Sequence, residues 1–260
     1  MTAPDIDGDV VPVVISDPGE KGRDEHLWGD RLVIQVGNVV AWVFPLLMFA
    51  IVTQVFIRKA GHNQAWLDDA QWWMYGFAVL TAFCYAITTE SHVRVDIFHQ
   101  HYSVKRRSLL EILALGWFLL PFLGIMVDIM VQYAWSSILA GEGSDSPNGL
   151  HGLYLLKATL PCLFLLAVIA AVSRLIRHLS RITYPHVWKI LLVCIPFSWF
   201  AAERLCHHGL WWYVHLTQPE LKSRMIAKEP LLDHSTWMGL VLILALVAIT
   251  FIKKRPQPEI

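Results

Sequence analysis

Apolar runs divided by short polar segments give this chain six stretches of membrane-helix length. They cover residues 32–57, 70–89, 109–133, 154–172, 187–202 and 235–252. A hydrocarbon layer about 30 Å thick takes about 20 apolar residues in an α-helix, which satisfies its own backbone polar groups. The pattern therefore predicts an all-α integral membrane protein. Pro45 interrupts the first stretch and should kink it nearby, because proline removes a helical N–H and crowds the preceding turn. The third stretch contains Pro121, and Pro161 interrupts the fourth. The fifth is short, carries Lys189 and Pro196, and reads either as a full crossing or as an interfacial segment. Residues 141–152, rich in Gly, Ser, Asp and Pro, read as a loop. Residues 207–216, HHGLWWYVHL, read as an aromatic segment at the membrane surface, and 217–234 as a polar loop. Residues 1–26 are rich in Asp, Gly and Pro and read as a disordered acidic tail.

The second stretch has the most informative ends. Trp66, Asp68 and Asp69 stand at its head. At its foot stands Glu90-Ser91-His92-Val93-Arg94-Val95-Asp96, followed by Lys105-Arg106-Arg107. Asp68 with Gln71 three residues later fits a capping box, with a helix beginning at Asp68 and its carboxylate opposing the positive helix end. On the residues alone, the box at the foot reads as a helix end with opposite charges at close spacing. Asp128, in the third stretch, lies about 24 Å along the helix from Ile112. That is near the outer boundary, where an acid is either paired with a neighbour or part of a transport path.

Charge gives the stretches a direction. Fourteen Lys and Arg fall on the side that holds both termini, and seven on the other. Basic residues concentrate on the cytoplasmic side, so both termini are expected there. Trp66, Asp68 and Asp69 then lie outside, and His92, Val95 and Asp96 inside.

Composition narrows the function. The chain has 260 residues, of which 16% are charged, against about 25% in soluble domains. Net charge is zero and no long basic block is present, which argues against a nucleic-acid surface. Cys84, Cys162, Cys194 and Cys206 show no Cys-x-x-Cys spacing and read as small apolar residues. Twelve histidines raise the question of haem, but none falls in the apolar middle of a stretch. His207, His208 and His215 lack a carboxylate or cysteine pair at metal-ligand spacing. No cofactor and no metal is expected. There is no nucleophile elbow, phosphate loop or His-Glu-x-x-His motif, so no enzyme is expected. Internal repeats, common in self-sufficient carriers, are also not evident, which fits an accessory subunit.

Two local patterns carry a resemblance. Trp66-Leu67-Asp68-Asp69 heads the second stretch, and His92-Val93-Arg94-Val95-Asp96 ends it. Together, with membrane spans around them, they resemble the DctQ-type small membrane subunit of tripartite ATP-independent periplasmic (TRAP) transporters. The resemblance covers residues 27–180 and implies a four-helix membrane domain. Residues 181–260 are then an extension with about two further membrane helices. It also implies a bacterial inner-membrane protein that scaffolds a large membrane subunit of the DctM type. That subunit takes up an organic acid, delivered by a periplasmic binding protein, at the expense of an ion gradient. Trp66, Asp68, Asp69, His92, Val95 and Asp96 become candidates for fixing helix ends or a partner interface, with Asp128 as an intramembrane polar candidate. Two other readings stay open: the small subunit of a tricarboxylate-type tripartite carrier, and the membrane anchor of a redox enzyme.

Overall fold

In a computed structural model of the protein, residues 23–91, 102–218, 220–221 and 223–253 are described. The tail up to residue 22 lies outside them, as do His92, Val95 and Asp96. The described end of the expected tail holds a 3-10 turn, Arg23–Glu25, and a buried His26.

The first apolar stretch forms two helices, α1 (Trp28–Val40) and α2 (Val43–Lys59). They are broken at Ala41 and Trp42 rather than at Pro45 itself. Proline acts four residues back, where its ring crowds a carbonyl and its missing N–H leaves that carbonyl without a donor. For Pro45 that carbonyl belongs to Ala41. The chain there turns to tighter bonds, with the Trp42 N–H donating to Val39 at 3.3 Å and the Phe44 N–H to Ala41 at 3.2 Å. α3 runs Ala65–Thr89. α4 (Val104–Leu113) continues through a π-helical turn, Ala114–Leu119, into α5 (Leu120–Ala140). The wider π turn lies just before Pro121, a usual way to absorb a missing donor.

A short α6 (Leu153–Lys157) leads into α7 (Thr159–Ser180), which continues two turns past the expected end at residue 172. α8 (Val187–Val193) meets α9 (Ile195–Thr217) at 97°. Pro196 sits in the first turn of α9, where its lost N–H costs nothing. The segment 207–216, expected along the membrane surface, is the second half of α9: its aromatic residues continue the helix. The expected polar loop contains α10 (Ser223–Ile226) and a 3-10 turn, Pro230–His234, before α11 (Ser235–Ile252).

α7 is the centre of the bundle and packs against α1, α3, α4 and α5. Ala167, Ala170 and Ala171 on α7 are fully buried, against Cys84 and Ile87 of α3 and Leu123 of α5. Small residues on one helix let the others approach closely, which is how helices associate where lipid is as apolar as leucine. α9 packs on α5 and α11. A Cβ added at Gly116 would lie 2.9 Å from the Val193 carbonyl oxygen, so the α8–α9 break rests on that glycine. Cys84 and Cys194 are buried, and all four cysteines are free.

Among the described residues, four helices are long and apolar enough to cross a membrane: Trp28–Lys59, Val104–Ala140, Leu153–Ser180 and Pro230–Ile252. The bent pair α8–α9 makes five if it counts as one span. Six were expected. α3 has the length, 25 residues, but its tryptophans, tyrosines and threonines leave it less apolar than the four.

Candidate interaction site at the two ends of the bundle

Trp66, Asp68 and Asp69 come together at one end of α3 and tie it to two neighbouring segments. The helix begins at Ala65, with Gln64 as its N-cap and no side-chain cap. Asp68 is therefore not the cap that its spacing with Gln71 suggests. Its carboxylate instead accepts from Gln54 Nε2 and Arg58 Nη2 of α2, each at 2.5 Å. Gln71 donates to the same Gln54 side chain, and Gln54 is buried. The Arg58–Asp68 pair is itself half exposed, so its own contribution is at most about 1 kcal/mol. The buried amide that it surrounds is the more demanding group. Asp69 turns the other way, and its carboxylate accepts the Leu150 backbone N–H at 3.1 Å. The Trp66 backbone N–H donates to Asn148 at 3.1 Å. Asn148 has a left-handed backbone, φ 62°, and the Ser144 N–H closes the turn onto Leu150 at 2.9 Å. The motif at the head of α3 thus joins α2, α3 and the loop between α5 and α6.

That loop has a second anchor. Glu142 accepts from Lys157 Nζ at 2.5 Å and from Ser137 Oγ at 2.6 Å. Lys157 also stands 4.5 Å from the Tyr133 ring centroid. The Lys157 hydrogen bond, then that of Ser137, holds the Glu142 carboxyl below its ordinary value of 4.5. A carboxyl lowered on folding stabilises the fold above its unfolded value and loses that contribution as pH falls through the folded one. The purified protein should therefore melt at lower temperature as pH falls below about 4.5, and Glu142→Gln should flatten that part of the curve. Parallel melting curves for the two proteins would count against it.

The opposite end of the bundle holds a network that sequence reading missed. The fourth predicted stretch ends at residue 172, so Arg174, Arg177 and His178 read as lying beyond it; they lie on α7 and are buried. Arg174 Nη2 meets Glu111 Oε2 at 2.6 Å, and Arg177 Nε stands 3.4 Å from Asp30 Oδ2. Asp30 is fully buried and also accepts the Leu27 N–H at 3.0 Å. Both arginines reach the end of α3. Arg177 Nη2 donates to the Thr88 carbonyl at 2.6 Å and Arg174 Nη1 to that of Ile87 at 3.4 Å. Last-turn carbonyls have no partner within their own helix. Here a neighbouring helix supplies the donors. Glu90 follows in a left-handed conformation, φ 56°, with Oε1 3.2 Å from His178 Nε2. Beyond Ser180, Arg181 holds Glu25 at 2.7 Å. The spacing of Arg174, Arg177, His178 and Arg181 was the available signal, since all four share one helical face.

Asp128 sits apart from both ends. It is 3.2 Å from His208 Nε2 and 3.7 Å from Arg204 Nη1, both on α9. Arg204 also pairs with Glu203 at 2.5 Å, and Glu203 accepts from Ser235 Oγ of α11 at 3.0 Å. This acid links α5 to the C-terminal helices. Among the described residues no group of three or more His, Cys, Asp or Glu side chains is arranged to hold a metal ion.

A family model described as "Tripartite ATP-independent periplasmic transporters, DctQ component" matches residues 47–181. The matched segment runs from within α2 to the end of α7 and includes both ends of α3. No curated protein and no solved structure matches the chain.

Proposed function

The chain belongs to the DctQ component family of tripartite ATP-independent periplasmic transporters, and on that premise we propose that it is a stationary scaffold for the large transport subunit. The family is a transporter component, a small membrane subunit, rather than an enzyme. In the proposed role the chain holds a DctM-type subunit fixed in a bacterial inner membrane. That subunit takes up an organic acid, delivered by a periplasmic binding protein and driven by an ion gradient. Six crossings, including α3 and the α8–α9 pair, would leave both termini in the cytoplasm, as the distribution of Lys and Arg favours.

The observation that carries the reading is how the motif carboxylates are engaged. Asp68 is held by Gln54 and Arg58, and Asp69 by the Leu150 N–H. Such groups fix helix ends relative to one another rather than meet a passing solute. Two measurements test it. Tagged chain, purified from native membranes in mild detergent, should bring with it a larger polytopic membrane protein. Asp68→Ala, Asp69→Ala and His92→Ala should each lower the yield of that complex or the rate of solute uptake. Recovery of a soluble redox subunit instead, or full yield and uptake in all three variants, overturns the proposal.

A further inference from the structure

We infer that the outward face of α1 is the docking surface for a transmembrane helix of the large subunit, one with a carboxylate near its inner end and hydrogen-bonding side chains deeper in. The inference rests on the scaffold reading and names the face involved. α1 lies outside the segment that the family model matches.

The membrane thickness can be marked on the bundle. From Asp69 to Glu90 along α3 is about 31 Å, close to the thickness of the hydrocarbon layer. Asp30 stands at the inner mark, because its partner Arg177 also holds the Thr88 carbonyl. α1 runs antiparallel to α3 from there: a Cβ at Gly37 would meet the Tyr85 ring at 2.6 Å. Gln35 and Asn38 then lie about 7 and 12 Å into the layer from Asp30.

Both amides, and Arg31 at the inner mark, are exposed. Residues 31, 35 and 38 fall within one narrow arc of an α-helix. Trp28 and Trp42, each 74% exposed, end the same stripe. Among the described residues neither the Gln35 nor the Asn38 side chain has a hydrogen-bond partner, and Arg31 has no ion pair. An unpaired amide in hydrocarbon costs several kcal/mol, so lipid is a poor neighbour for this stripe. The contrast is α11, whose exposed face carries Val241, Leu244 and Ile249 and suits lipid. A second copy of this chain is also a poor neighbour. Copies share one orientation in the membrane, and a symmetric contact would set Arg31 against Arg31. A different helix with an acid opposite Arg31 meets both demands.

The test is site-specific photo-crosslinking in membranes containing the whole transporter. A photoreactive amino acid replaces Gln35, Asn38, Val241 or Leu244 in turn, and adducts are identified by mass spectrometry. Positions 35 and 38 should give adducts with the large subunit; positions 241 and 244 should give lipid adducts alone. Lipid adducts alone at 35 and 38, or adducts with a second copy of this chain, overturn the inference. Recovery of the large subunit is followed in the same samples. If it co-purifies while 35 and 38 meet only lipid, the docking face is wrong and the scaffold reading stands. If it does not co-purify at all, both fall. Gln35→Leu with Asn38→Leu makes α1 more apolar and leaves its insertion intact. This double variant should lower recovery of the large subunit about fivefold to tenfold, and unchanged recovery overturns the inference.

Discussion

Arg177→Met should destabilise the protein by about 3–5 kcal/mol, a large part of the 5–15 kcal/mol that holds a typical folded domain. The arginine side chain is 8% exposed and Asp30 is 0% exposed. Methionine fills much of the same volume but leaves a buried carboxylate unpaired and the Thr88 carbonyl without its 2.6 Å donor. The effect comes from that stranded charge and not from lost packing. Replacing a whole buried pair by apolar residues is often neutral or stabilising. Arg177→Met combined with Asp30→Leu should therefore recover most of the loss. Thermal unfolding of the purified protein in detergent measures both. A single variant that melts with the wild type, or a double variant no better than the single, would show that the pair is not the anchor its burial indicates.

Gly239→Leu should part α11 from α9, at a cost of about 1–3 kcal/mol for a side chain forced into a packed contact. A Cβ at this position would lie 2.7 Å from both the backbone N and the Cα of Glu203. Those atoms belong to a helix and cannot swing aside as a flexible side chain can. The same neighbourhood holds the Ser235–Glu203 hydrogen bond and a 3.4 Å contact from Trp199 Nε1 to the Thr236 carbonyl. All are lost if the helices separate. Gly209→Leu is the matched control, because a Cβ there meets nothing within 4 Å. The expected result is a lower melting temperature and faster proteolysis near Lys253 for Gly239→Leu alone. Equal behaviour of the two variants would refute the close contact.

Much of the architecture could be read before any coordinates, because apolar length and proline position act locally. The break ahead of Pro45 and the π turn ahead of Pro121 both follow from one missing donor. The head of α3 was legible as a place of importance, since acids beside tryptophan at a helix start are conspicuous. Their partners were not: Gln54 and Leu150 are 14 residues before Asp68 and 81 residues after Asp69, and neither contact leaves a periodic trace. Asp68 was misread as a cap because the capping spacing is satisfied equally well by an acid one turn inside the helix. Arg174 and Arg177 were misplaced for a related reason. Basic residues after an apolar run are the usual sign of a membrane boundary, and it is their partners on other helices, Glu111, Asp30 and the Ile87 and Thr88 carbonyls, that keep them inside the bundle. The continuation of α9 to Thr217 was hidden by His207, Trp211, Trp212 and His215, side chains as suited to an interface as to a helix. His92, Val95 and Asp96 lie outside the described residues and stay on the footing of resemblance.

The capping of α3 by α7 also sets a timetable for synthesis. The Thr88 carbonyl leaves the ribosome 89 residues before Arg177, and the Ile87 carbonyl 87 residues before Arg174. At about 5–20 residues per second, that is an interval of roughly 4–18 seconds. During it the C-terminal end of α3 has no donor from its own bundle, and Asp30 has no arginine. Water or the insertion machinery must serve these groups until α7 enters. The end of α3 is thus unfinished until α7 enters.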